Sequence, residues 1–106
     1  MPKYLFTGSF TEQGGKGIMA EGGSKRVEAV GALFSSLGGK LESYHFGFGG
    51  DDYFIIGELP DNATAAAASM KVTLSGAVRN RTVVLLTPEE LDRASGIQMT
   101  YRPPGG

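Results

Sequence analysis

The sequence predicts an α+β fold: one four-stranded antiparallel sheet, two substantial helices on one of its faces, and a short helix near the end of the chain. Three observations carry this expectation. Apolar and aromatic residues alternate with period two in two stretches, and two further stretches are rich in aromatic, β-branched or apolar residues. Between them the apolar spacing turns to threes and fours. Glycine, proline and capping residues punctuate the joints.

Lys3 to Phe10 alternates first: Tyr4, Phe6, Gly8 and Phe10 point one way, and Lys3, Leu5, Thr7 and Ser9 the other. Thr11-Glu12-Gln13 reads as a helix start. Ile18, Met19, Val27, Val30, Phe34 and Leu37 then recur at helical spacing. Interior glycines cost a helix roughly 0.5–1 kcal/mol each against alanine. A break is therefore expected at Gly22-Gly23, with Ser24 capping a second helix that runs to Leu37. Gly38-Gly39 is the stop. Lys40 to Phe48 is the second strand, with Tyr44, Phe46 and Phe48 on one face and Leu41, Ser43, His45 and Gly47 on the other. Gly49-Gly50-Asp51 marks a turn, and Tyr53 to Leu59 is the third strand.

Asp61 is placed to cap a helix rich in small residues, Ala63, Ala65 to Ala68, Met70 and Val72, with Ala66 or Ala67 expected against the sheet. Gly76 ends it, and Val78 to Leu86 forms the fourth strand. Thr87-Pro88-Glu89-Glu90 combines a threonine cap, a proline at the first helical position and a glutamate at the third. The short helix it opens ends near Ala94. Residues 96–106, with Pro103-Pro104, carry no helical period and are expected to run extended over a surface. The order β-α-β-β-α-β is that of a ferredoxin-like sandwich, with the first and third strands central. The predicted domain spans residues 1–95 and the tail residues 96–106. Both faces of the first three strands carry large apolar side chains, and helices cover only one. A homo-oligomer that covers the other face is the expected consequence.

Composition narrows the function classes. A chain of 106 residues fits one domain. With 41% hydrophobic and 20% charged residues it sits near globular norms, which argues against disorder. The net charge is −1, and neither half concentrates basic residues, so nucleic acid is not an expected partner. There is no cysteine, which removes disulfides and thiolate metal sites. The single histidine, His45, removes a multi-histidine site within one chain. No apolar run approaches the roughly 20 residues of a membrane span. The opening Met1-Pro2-Lys3-Tyr4 shows no leader pattern, so a cytoplasmic location is expected.

Several segments resemble the GYD-domain family. They are Tyr4-Leu5-Phe6-Thr7-Gly8-Ser9-Phe10-Thr11, Glu21-Gly22-Gly23-Ser24-Lys25-Arg26, Leu37-Gly38-Gly39-Lys40-Leu41-Glu42, Leu59-Pro60-Asp61-Asn62 and Leu86-Thr87-Pro88-Glu89-Glu90. The tail Tyr101-Arg102-Pro103-Pro104-Gly105 is similar to that of longer members. The family is named for a glycine followed by Tyr-Asp after the second strand. Asp52 matches the family aspartate, and Asp51 stands where tyrosine is usual. The resemblance implies a ferredoxin-like domain related to dimeric α/β-barrel proteins, a group that includes small monooxygenases, haem and dye-decolourising relatives and ligand-sensing domains.

Candidate site residues follow from chemistry. His45 is the one residue of the type whose ordinary pKa lies nearest neutral, and it reads as a general base or axial ligand, or as a strand histidine at an interface. Lys25 and Arg26, behind Gly22-Gly23, could hold an anion at a helix start. Asp51 and Asp52 are too few for a hard cation and read first as turn chemistry. Arg79 and Arg81 share one side of a strand, placed to pair with Asp52 or Glu58 or to meet a carboxylate ligand. Tyr4, Phe6, Tyr44 and Phe46 line a candidate cavity with His45. No nucleophile with a matched base and no metal-ligand set is visible, so no catalytic residue, metal or cofactor is assigned. Two readings follow: an oligomeric domain that binds a small molecule or serves as an assembly module, and a cofactor-poor oxygenase or isomerase with a cavity near His45.

Overall fold

The computed structural model describes residues 1–106. The elements follow in the order β1 (Lys3–Phe10), α1 (Glu12–Glu21), α2 (Gly23–Ser36), β2 (Lys40–Phe46), β3 (Tyr53–Glu58), α3 (Asn62–Leu74), β4 (Val78–Leu85) and α4 (Pro88–Ser95). The four strands make one antiparallel sheet in the order β2-β3-β1-β4, so the first and third strands are central, as expected. Each helical crossover skips over one strand, an arrangement compatible with the ferredoxin-like pattern.

The alternation of β1 decides which face is covered. Tyr4 and Phe6 are buried together with Tyr53 and Ile55 of β3, Val78 of β4, Val30 and Phe34 of α2, Leu59 just after β3, and Ala65 near the start of α3. The aromatic row is therefore the core. Phe34 meets Phe6 edge-on, with ring centroids 5.8 Å apart. Tyr4 is fully buried, and its hydroxyl donates to Asn62 Oδ1 at 2.7 Å, which ties β1 to the first turn of α3. The opposite face carries Leu5 and Thr7 of β1, His45 of β2, Phe54 and Ile56 of β3, and Arg79, Arg81, Val83 and Leu85 of β4. No helix covers it.

Five expectations need correction. Strand β2 stops at Phe46, so Phe48 leaves the aromatic face and stands exposed. In β2 the register slips between Leu41 and Ser43, leaving Glu42 as an extra residue. This bulge turns Leu41 onto the core face with Tyr44 and Phe46, instead of the face of Ser43 and His45. Ser24 does not cap α2: the helix begins at Gly23, after Gly22 with φ 84°, and no side chain caps it. In α3, Ala66 and Ala67 are exposed, and Ala65 is the alanine that faces the core. Arg81 pairs with Asp51 and not with Asp52 or Glu58.

The caps explain the other helix starts. Asp61 Oδ1 accepts from Thr64 N at 2.8 Å and from Thr64 Oγ1 at 2.7 Å. These bonds hold the Asp61 carboxyl below its ordinary pKa of 3.8. Thr87 and Glu90 form a reciprocal capping box at α4. Within α1, Gly14 lies against the Ala77 carbonyl, so a side chain there has no room, while Gly15 and Gly17 face open space. No helix is long and apolar enough to cross a membrane.

Candidate functional site

At the end of the sheet where β1 finishes, the covered face becomes more polar. Tyr53 O–H donates to Asn80 Oδ1 at 2.6 Å. Asn80 Nδ2 in turn donates to Ser69 Oγ of α3 at 3.1 Å and to Thr82 Oγ1 at 3.2 Å. Beside this network lies a cavity of about 40 Å³, walled by Phe6, Phe34 and Tyr44 among others, with Arg26 of α2 at its edge. A cavity needs roughly 10–15 Å³ on this measure to hold one water, so this one has room for more than one.

Two phenols respond to this environment. Burial pushes the Tyr53 pKa up to about 12, with the Tyr44 and Asp51 charges adding to the rise. Burial also raises Tyr44, and the Arg26 guanidinium pulls it back. The ion pairs of the molecule are Met1 N–Glu58, Lys3–Glu42, Lys16–Glu12 and Arg81–Asp51. Arg26 thus has no carboxylate partner. Chemically, this corner offers one guanidinium, two un-ionised phenols and an amide beside apolar walls. It can orient a polar or anionic group, and it holds no base for proton abstraction.

Outside the cavity, a shallow groove of about 550 Å³ runs between α1 and the β2–β3 hairpin, lined by Phe10, Ile18, Gly23 and Phe46, with Glu12 and Asp52 on its rim. Phe10 and Phe46 lie 6.5 Å apart by ring centroids, and Tyr44 and Phe46 4.7 Å. Asp52 fixes the hairpin to β1: its Oδ2 accepts from Phe10 N at 2.9 Å, and its own N–H donates to the Gly8 carbonyl at 2.6 Å.

The candidate residues fall into separate places. Tyr4, Phe6 and Tyr44 lie on the covered face. His45 lies on the open face, opposite Phe54 and exposed, so it shares no cavity with them. Arg26 borders the cavity, whereas Lys25 is exposed in the first turn of α2. Arg79 is exposed on the open face and makes no ion pair. Its neighbour Arg81 reaches Asp51 Oδ2, which lies 2.8 Å from the buried Thr7 hydroxyl. Asp51, at the usual tyrosine position, thus anchors the hairpin to the open face. Tyr53, Asn80 and Phe10 went unassigned from sequence. The alternation of Tyr53 with Ile55 was the available signal for the first of them.

No group of three or more histidine, aspartate or glutamate side chains is placed to hold a metal ion. The family model described as GYD domain matches residues 4–95. No curated protein and no solved structure matches the chain.

Proposed function

The chain belongs to the GYD-domain family, and from that premise we propose that it works as a homo-oligomeric assembly module whose subunits join through the open face of the sheet. One observation carries the reading. Phe54 and Val83 stand 42% and 43% exposed at the middle of that face, flanked by the half-buried Leu5, Ile56 and Leu85. A contiguous apolar strip on a sheet with no covering helix marks an interaction surface. Stable association buries roughly 800 Å² per partner, about what such a face offers. A cytoplasmic setting belongs to the same reading, and the cysteine-free composition fits it.

Sedimentation over a micromolar concentration series tests this. The wild type should associate, and Val83→Lys should give a folded monomer. Phe6→Lys should unfold the subunit, because Phe6 is core. A folded wild-type monomer throughout the series defeats the proposal.

A second reading, small-molecule binding, is favoured by the unpaired Arg26 beside the Tyr44 and Tyr53 phenols. Native mass spectrometry of the purified protein, read together with its colour, tests that reading. An oxygenase or isomerase working through His45 draws no support from the geometry, since His45 faces away from the cavity.

A further inference from the structure

The chain beyond β4 leaves the body of the domain. Leu86, Leu91, Ile97, Met99 and Tyr101 are between 60% and 76% exposed. The radius of gyration is 16.8 Å and the long axis 55 Å. A compact chain of this length has a radius near 13 Å. The projection begins on a well-made helix. Thr87 Oγ1 accepts from Glu90 N at 3.1 Å, and Glu90 Oε1 accepts from Thr87 N at 3.0 Å. Helix α4 is thus a capped stalk, and residues 96–106 form an arm beyond it. An apolar row of this size on a segment that packs against nothing in its own chain needs a partner.

The surface that matches it lies at the other end of the molecule. Leu85, which precedes the stalk, pairs with Lys3, while Phe10 at the far end of β1 pairs with Val78. The groove of Phe10, Ile18 and Phe46 opens at that far end, and Phe46 is 41% exposed there. An eight-residue strand separates the two by roughly 27 Å. A two-fold axis lying across the strands exchanges the two ends. It carries the stalk of one copy toward the groove of the other, and the arm spans about 36 Å when extended.

We propose that the arm crosses to a second copy of this chain and lays Ile97, Met99 and Tyr101 in that copy's groove between α1 and the β2–β3 hairpin. Charge agrees with the fit. Arg102 follows the apolar row, and Asp52 on the groove rim has no ion pair in its own chain, whereas Glu12 beside it is held by Lys16. The inference rests on the assembly reading above and adds where the arm goes.

Because the chain has no cysteine, single introduced thiols report the contact. Full-length chains carrying Met99→Cys are mixed with full-length chains carrying Phe46→Cys and mildly oxidised. The expected product is a mixed disulfide dimer, formed in preference to either same-variant dimer. In parallel, Ile97→Asn with Met99→Asn in the full chain should keep the wild-type far-UV spectrum and weaken dimerisation by about tenfold or more, with a lower melting temperature only at concentrations where the wild type is dimeric. Absence of the mixed cross-link overturns the proposal. So does an internal disulfide in a chain carrying both cysteines, or an unchanged dimer affinity in the asparagine variant. An unchanged affinity with a wild-type dimer leaves the assembly reading standing, whereas a wild-type monomer removes both.

Discussion

Replacing Gly57 by alanine tests the packing of the core at its tightest point. Gly57 lies in β3 on the covered face, directly beneath Phe34 of α2. A Cβ built there would fall 2.3 Å from Phe34 Cε1, 2.8 Å from its Cζ and 2.9 Å from the Lys40 carbonyl oxygen. The ring cannot swing into solvent, because Phe34 is buried and held edge-on against Phe6. The carbonyl belongs to the β2 ladder. Overpacking of this kind costs ~1–3 kcal/mol. Part of the edge-to-face pairing, worth ~0.5–1.5 kcal/mol, goes with it if the ring moves. Relief of glycine's backbone entropy returns only ~0.5–1 kcal/mol. The balance is a loss of about 1–3 kcal/mol. For a domain of this size each kcal/mol moves the melting temperature by ~4–8 °C. Thermal melts by circular dichroism should therefore show a clear drop. Phe34→Leu placed in the Gly57→Ala background should cost less than it does in wild type, a coupling of ~0.5–3 kcal/mol expected of groups in contact. Gly57→Ala melting at or above wild type would refute the reasoning.

Other outcomes follow from the same structure. Ala65→Leu should destabilise by ~1–3 kcal/mol because that position is buried, whereas Ala66→Leu, on the exposed side of α3, should melt within about 0.5 kcal/mol of wild type. Tyr53→Phe removes the phenol donor from Asn80 and should cost ~0.5–1.5 kcal/mol in chemical denaturation. With the folded Tyr53 pKa raised to about 12, its contribution is complete below the ordinary value near 10 and is lost as pH rises through the folded value. Burial also raises Tyr4 and Tyr44, so an alkaline absorbance titration should show several late tyrosines, of which Tyr53→Phe removes one. Asp61 behaves in the opposite sense. Its folded pKa is depressed, so its cap is at full strength above about pH 4 and weakens as pH falls through the lower folded value. Acid unfolding monitored for Asp61→Ala should be less steep than for wild type.

The sheet was readable because strand alternation has a strict period and β1 alternates without interruption from Tyr4 to Phe10. The same period placed His45 on the face opposite Tyr44, so the separation of those two was already implicit in the sequence. The Glu42 bulge was not. A bulge inserts one residue without a composition signal, and Leu41 changes faces with nothing in the letters to mark it. The alanine run of α3 failed for a related reason. Four identical residues from Ala65 to Ala68 carry no contrast, so no phase can be assigned to them. The corner of Arg26, Tyr53 and Asn80 draws on three elements distant in sequence. The crossover topology joins them, and local pattern does not reach that far.

The place of β1 at the centre of the sheet has a consequence for biosynthesis. The first strand to emerge is the one whose two neighbours, β3 and β4, are made last. The β2–β3 hairpin can form as soon as Glu58 is available, but β1 keeps one edge unpaired until Leu85 has left the ribosome. At roughly 5–20 residues per second, that leaves an aromatic strand waiting for seconds. Its own Tyr4 and Phe6 would be exposed to other nascent chains for that interval. Slowing translation between β3 and β4 should therefore favour aggregation, and matching the speed of that stretch to the rest should favour yield.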